Sequence, residues 1–327
     1  MKRTHARLVE WETRFPAGHR QGYDGFREEV ATLRGAFYDD FLTNRTPRQP
    51  NVNEVLACFD DMPPAEFTAP YPIAPEVLES LAGVVQRKYI MRFKNVRRSW
   101  AHLLQYMPEL MAPGATPRRV LEMSTAHGAT LEVLRHKGHD ARGNDFANFI
   151  GNGASVDTRF RRIGEVDLTQ EADTHGQHSG DGRISDWPYR PIIEAMGLPV
   201  DLFDAGSLPY PYADQSFDCV LCFDAIEHYC HPKDWLQIIG EFVRLARESV
   251  LLITNPVQAQ KLTDDAYMTA FHDFQAAMRS YDRGGMRCVM AGVHRHQLTV
   301  FKLIRTTPHR PDATKPRDKA RPRPKAG

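Results

Sequence analysis

With 327 residues, 42% hydrophobic and 25% charged, the chain is long enough to bury a full α/β core and has the composition of a globular protein. A formal net charge of +1 gives it no global bias toward nucleic acid or membrane surfaces, and no window approaches about 18 uninterrupted apolar residues, which excludes an ordinary spanning helix. Five cysteines, an odd number without a disulfide-like framework, and an N-terminal "MKRTHARLVEWETRF" with no apolar signal core lead to the expectation of a reducing, cytoplasmic setting without membrane contact.

Residues 1–117 read as a helical cap. "REEVATLRGAFYDDFL" and "PEVLESLAGVVQRKYIMRF" repeat apolar residues at helical spacing, with Pro75 placed to start the second. "VRRSWAHLLQYMPELM" predicts one more amphipathic helix, stopped by "APGATP".

From Arg118 the pattern changes to short apolar runs alternating with helices, and residues 118–305 read as the main domain. "RRVLEM", "DARGND", "VDLFDA", "DCVLCF" and "SVLLIT" are strands of the kind a parallel sheet covers on both faces. "ATLEVLRHKG", "YRPIIEAMG" and "PKDWLQIIGEFVRLARE" are the helices between them. After a further helix in "KLTDDAYMTAFHDFQAAMRSYDRGG", "MRCVMAGV" and "HQLTVFKLIR" are too close for a helical crossover, so they pair antiparallel at the sheet edge. The expected fold is a doubly wound, mostly parallel seven-stranded α/β sheet.

The segment of about 146–198 is long for one crossover, and "EADTHGQHSGDGRISDWPYRP" within it is polar and glycine-rich. It is expected to close over an acceptor with the N-terminal helices, Trp187 and Tyr189 lining that site. Residues 306–327 complete a basic, proline-rich tail with almost no apolar residue to bury, for which disorder is expected.

The residues carrying chemistry cluster at strand ends. Glu122 ends the first strand, Ser124 to Gly128 make a turn into a helix, and Asp145 ends the second strand, where a carboxylate can accept both hydroxyl hydrogens of a ribose. Further on stands "DAGSLPYPYADQSFDCVLCFDAIEHYCHP".

These two blocks resemble class I S-adenosylmethionine-dependent methyltransferases, from about Arg118 to Arg305. Members typically carry "VLEIGCGTG" where this chain has "VLEMSTAHG", so Ser124 and Ala126 replace the first two glycines and Gly128 keeps the last. Ser and Ala are the smallest replacements. His127 is bulkier, and its direction decides whether it obstructs the turn.

The resemblance implies S-adenosyl-L-methionine as cofactor and a Rossmann-like fold. It implies that the methionine end lies over the turn, the ribose on Asp145 and the adenine on Asp204 and Ala205. The usual "PGG" turn before the fifth strand is missing, and "RLARESVLLITNP" runs directly from helix to strand.

By the same resemblance "FDAIEHY" would face the reacting methyl, and His228 is the candidate base, since an imidazole titrates near neutral pH. The alternative is that Glu227 and His228 brace the next helix. Glu227, His228, Cys230 and His231 are too close in sequence for all to point at one metal, and no metal site is assigned. Cys219 and Cys222 lie at an odd separation on a strand and so face opposite ways.

The expected function is methylation of an oxygen or nitrogen of a small-molecule or sugar-like acceptor, because the body lacks a basic stripe. An RNA methyltransferase using the basic tail as its hold on nucleic acid, or a non-catalytic relative that keeps the fold for binding, are the alternatives.

Overall fold

The computed structural model describes residues 52–80, 91–146, 162–163, 187, 189–255, 257, 261–294 and 298–306. The stretch 27–42, most of the segment 146–198 and the tail beyond Thr306 lie outside the described residues.

Among the described residues, eight strands form one sheet: β1 (Arg119–Met123), β2 (Asp140–Asp145), β3 (Val200–Leu202), β4 (Phe217–Phe223), β5 (Ala246–Ile253), β6 (Asp282–Arg283), β7 (Met286–His294) and β8 (Leu298–Arg305). Their order is β3-β2-β1-β4-β5-β8-β7-β6. Pairings from β3 through β5 are parallel, and β8 joins β5 antiparallel before β7 pairs back onto it. The expected terminal hairpin is therefore present. The expected count of seven is corrected to eight by β6, whose two polar residues pair with Met286 and Arg287 and are too short to carry any periodic signal.

The helices are α1 (Val52–Phe59), α2 (Pro75–Ser80), α3 (Arg92–Tyr106), α4 (Pro108–Met111), α5 (Ala129–His136), α6 (Arg190–Ala195), α7 (Trp235–Leu245) and α8 (Asp265–Arg279). The single helix expected over 96–111 is two. Pro108 lacks a backbone donor and pushes the residue before it out of the helical region, and Met107 sits at φ −132°, ψ 50°. The passage from α7 into β5 is direct, Leu245 to Ala246, as the missing "PGG" turn implied.

Alternation along each strand builds two cores, one on each face. Val120, Cys219, Leu221, Leu251 and Ile253 pack with α3, α5 and α6, while Leu121, Val220, Cys222, Val250 and Leu252 pack with α7 and α8. Cys219 and Cys222 thus lie on opposite faces. The first core also takes in Val55, Leu56, Trp100, Leu103 and Leu110, so the N-terminal helices share it with the sheet rather than forming a core of their own.

Polar contacts fix α3 on α5. The Arg92 guanidinium donates to the Glu132 carboxylate at 2.5 and 3.1 Å with both side chains buried, and the hydroxyls of Ser99 and Thr130 lie 3.0 Å apart. Because α5 begins at the β1 turn, this contact sets the position of α3 over the carboxyl ends of the strands.

Candidate functional site at the carboxyl edge

The turn after β1 holds three left-handed residues in alternation: Ser124 at φ 55°, Ala126 at φ 49° and Gly128 at φ 76°. Only glycine adopts this region without strain, so Ser124 and Ala126 keep the backbone of a glycine turn at a cost of about 1–2 kcal/mol each. Gly128 has a second reason to lack a side chain: a Cβ there would come within 2.4 Å of Leu198 Cδ1. At the opposite wall, Gly143 of β2 leaves the space that Thr125 fills, a Cβ falling 2.7 Å from Thr125 Cγ2. The Thr125 amide donates to Asn144 O at 2.9 Å, tying the turn to β2.

His127 does not turn to solvent. Its side chain is buried and Nδ1 accepts the Ala129 amide hydrogen at 3.2 Å, while its carbonyl accepts from the Tyr71 hydroxyl at 3.4 Å. The imidazole therefore caps the first turn of α5, a task Gly128 cannot perform.

Two carboxyls face this turn. Glu122 is buried and accepts a short hydrogen bond from the Thr125 hydroxyl; burial pushes its pKa up to about 7 against the pull of Thr125 and Thr130. Asp145 accepts from the Phe146 amide at 2.7 Å and from Trp187 Nε1 at 3.2 Å, and burial pushes it up to about 7 as well.

Trp187 and Tyr189, expected at an acceptor site, are buried in the first core with their rings edge-on, and Trp187 meets Asp145 instead. An indole needs a polar partner when buried, and this carboxylate supplies it.

The loop after β3 carries Asp204, which is buried and accepts from the Gly206 amide at 2.8 Å and from the Ser207 hydroxyl at 2.9 Å. These bonds hold the loop in a tight turn. Ala205 is buried, its carbonyl accepting from the Tyr210 hydroxyl at 2.8 Å.

Beyond β4, Asp224 is left-handed at φ 53° and a short 3-10 turn runs through Ile226–His228. Asn255, just past β5, donates to Asp224 O at 2.8 Å and to Glu227 Oε1. Glu227 is buried, its pKa raised by that burial, and its Oε1 lies 3.6 Å from Nε2 of the one-third-exposed His228. So Glu227 braces its loop against β5. The following 3-10 turn is capped by His231, whose Nδ1 accepts from the Lys233 amide at 3.2 Å.

Tyr229 completes this corner. Its hydroxyl lies 2.8 Å from Ser124 Oγ and 3.7 Å from Cys222 Sγ. Glu122 and Asp145, at the carboxyl ends of β1 and β2, and Ser124, Ala126, Gly128, Asp204, Ala205 and His228, on the turns that follow β1, β3 and β4, thus all fall at the carboxyl edge of the sheet, where open α/β sheets bind ligands. Sequence reasoning missed Tyr229, Asn255, Thr125 and Arg98, whose Nη1 lies 3.7 Å from Asp224 Oδ2. Among the described residues, no group of three or more His, Cys, Asp or Glu side chains is placed to hold a metal ion.

Comparison with known proteins gives a methyltransferase-domain family whose model matches residues 92–286, from the first residue of α3 to the start of β7. No curated protein sequence matches. Solved structures similar to this chain include a magnesium protoporphyrin IX methyltransferase from Synechocystis PCC 6803 with bound SAH. It is 14% identical, with 65% of this chain and 86% of that chain covered at a TM-score of 0.37. A protein from Pyrococcus horikoshii OT3 is 13% identical, with 63% and 90% covered at 0.37. A SAM dependent methyltransferase from Aquifex aeolicus is 11% identical, with 63% and 93% covered at 0.32.

Proposed function

Because this chain belongs to the class I S-adenosylmethionine-dependent methyltransferases, we propose that it methylates an oxygen or nitrogen of a small-molecule or sugar-like acceptor at the carboxyl edge of the sheet. The observation that carries the cofactor site is the turn itself. Left-handed φ at Ser124, Ala126 and Gly128 is retained against strain in two of the three, with Asp145 and Asp204 on the neighbouring strand ends.

In this reading Glu122, Ser124, Ala126 and Gly128 surround the amino-acid end, Asp145 accepts from the ribose hydroxyls, and Asp204 with the Ala205 amide meets the adenine. When bound, the cofactor supplies a methyl group activated by its sulfonium. Such a transfer is an in-line displacement, so holding the acceptor in line accounts for much of the rate.

His228 Nε2 is assigned the proton of the acceptor's hydroxyl or amine. The separation of 3.6 Å from Glu227 Oε1 is too long for a hydrogen bond but close enough for a carboxylate to stabilise the imidazolium that forms. Small acceptors are favoured because the residues before Arg305 carry a net charge of −5, which gives a phosphate backbone little to hold.

The test is methyl transfer from labelled S-adenosylmethionine to a panel of hydroxyl- and amine-bearing metabolites and to total RNA. Transfer to a small molecule that falls about 100-fold in kcat in His228→Gln, with KM for the cofactor unchanged, is the expected result. Transfer to RNA alone would overturn the acceptor class.

A further inference from the structure

Between the outer surfaces of α7 and α8 runs a groove of about 650 Å³ whose lining includes none of the candidate site residues. Its floor is apolar, made by Leu236 of α7 and by Ala270, Phe274 and Ala277 at successive turns of one face of α8. The alanines on that face are too short to close the space between the two helices. Two exposed carboxylates, Asp265 and Asp273, stand along the α8 wall, and Lys233 is the base among the lining residues.

The chain leaves the sheet at the foot of this groove. Arg305, the last residue of β8, donates to Val243 O at 3.1 Å and to Ala246 O at 2.6 Å, where α7 gives way to β5. The Thr306 amide donates to Gly285 O at 2.9 Å, six residues past the end of α8. Both helices run toward this edge of the sheet, so their last turns and Thr306 lie together. The residues that follow Thr306 hold seven Lys or Arg, two Asp and five prolines, and lie outside the described residues.

We propose that this basic, proline-rich segment docks in the α7–α8 groove of its own chain, with Arg310 on Asp273 and Lys315 on Asp265. The spacing fits: the two aspartates are eight helical residues apart, about 12 Å, and five extended residues from Arg310 to Lys315 span about 15 Å. Reach is ample, since the nine residues from Thr306 to Lys315 extend to about 28 Å and the groove from Asp265 to Ala277 is about 18 Å long. Prolines suit an apolar floor because they bring no backbone N–H that burial would strand. Asp318 gives the segment a carboxylate to meet Lys233. The docked segment abuts the 3-10 turn Pro232–Asp234, four residues on from His228, and so bears on the loop after β4. The inference stands apart from the cofactor reading.

The experiment is carbodiimide crosslinking of the full chain, which joins a lysine amine to a carboxylate in contact with it, followed by peptide mass spectrometry. Lys302 and Glu109, 2.7 Å apart, provide an internal standard remote from the groove. Wild type should link Lys315 or Lys319 to Asp265 or Asp273 at monomer mass. In the double variant Ala266→Arg with Thr269→Arg, both at exposed positions of the groove wall, these links should fall about tenfold or more against the Lys302–Glu109 standard. The retained standard also reports that the variant is folded.

Tail lysines linked indiscriminately over many carboxylates, no tail link beside a formed standard, or tail links unaltered in the variant would overturn the docking. Links confined to twice the monomer mass would put a second copy's tail in the groove and overturn the intrachain assignment.

Discussion

The Ser124 hydroxyl and the Tyr229 hydroxyl lie 2.8 Å apart across 105 residues of sequence, joining the turn after β1 to the loop after β4. The bond gives a purpose to the serine that stands where a glycine would cost less strain. Left-handed backbone at Ser124 is offset by a hydrogen bond worth about 1 kcal/mol, whereas Ala126 has the same backbone and no polar group to offset it. Replacement by glycine therefore separates the two. Ala126→Gly should raise stability by about 1 kcal/mol, a rise in Tm of about 2–4 °C, while Ser124→Gly should leave it nearly unchanged. Scanning calorimetry of the two variants checks this.

Tyr229→Phe removes the same bond from the other side. The ring stays buried, so the expected loss of stability is small, about 1 kcal/mol. Cofactor affinity should fall several-fold because the turn loses its tie to the β4 loop. Equilibrium unfolding in urea and calorimetric titration measure the two effects separately.

The buried ion pair between Arg92 and Glu132 is the joint between α3 and α5. Arg92→Met leaves a buried carboxylate without its partner and should cost about 3–5 kcal/mol. The double change Arg92→Met with Glu132→Leu removes the stranded charge and should recover most of that loss. A urea-denaturation cycle over wild type, both singles and the double gives the coupling directly.

Glu122 and Asp145 are both pushed up to about 7 by burial, from ordinary values of 4.5 and 3.8. A raised carboxyl pKa means that the folded protein holds the proton more tightly than the unfolded chain. Their contribution is therefore fully present below about 4 and is lost as pH rises through 7. Wild-type stability should carry a falling component between pH 5 and 7.5, and Glu122→Gln should flatten it. Thermal melts of the two proteins across that range provide the check, the difference between them isolating Glu122 from Asp145 and the other carboxylates.

Much of this fold is legible in short apolar runs. The main strands other than β2 fall where their apolar runs lie, because a strand buried on both faces has little room for polar residues, whereas "DARGND" is β2 to the residue with only Ala141 and Gly143 non-polar, and is marked by its place after a helix and by its terminal acid. The break at Met107 was also readable, since Pro108 stood in the sequence, but helical periodicity on either side masked it.

The candidate site was legible only by strand ends. Trp187 meeting Asp145, Tyr229 meeting Ser124 and Arg98 meeting Asp224 join residues that nothing in local pattern connects. Such pairings are made by packing of whole elements, here α3 on α5 and the loop after β4 on the β1 turn. His127 illustrates the limit: its size raised the question of obstruction, and its burial as a helix cap depended on Gly128 leaving an amide to be satisfied.

The central claim is that the turn at Ser124 to Gly128, Asp145 and Asp204 together hold S-adenosylmethionine. Calorimetric titration of S-adenosylhomocysteine into wild type, Asp145→Ala and Asp204→Ala tests it most directly. Saturable one-to-one binding by wild type, weakened about tenfold or more in each variant, is the predicted result. Binding absent from the wild type, or unaltered in both variants, would contradict it.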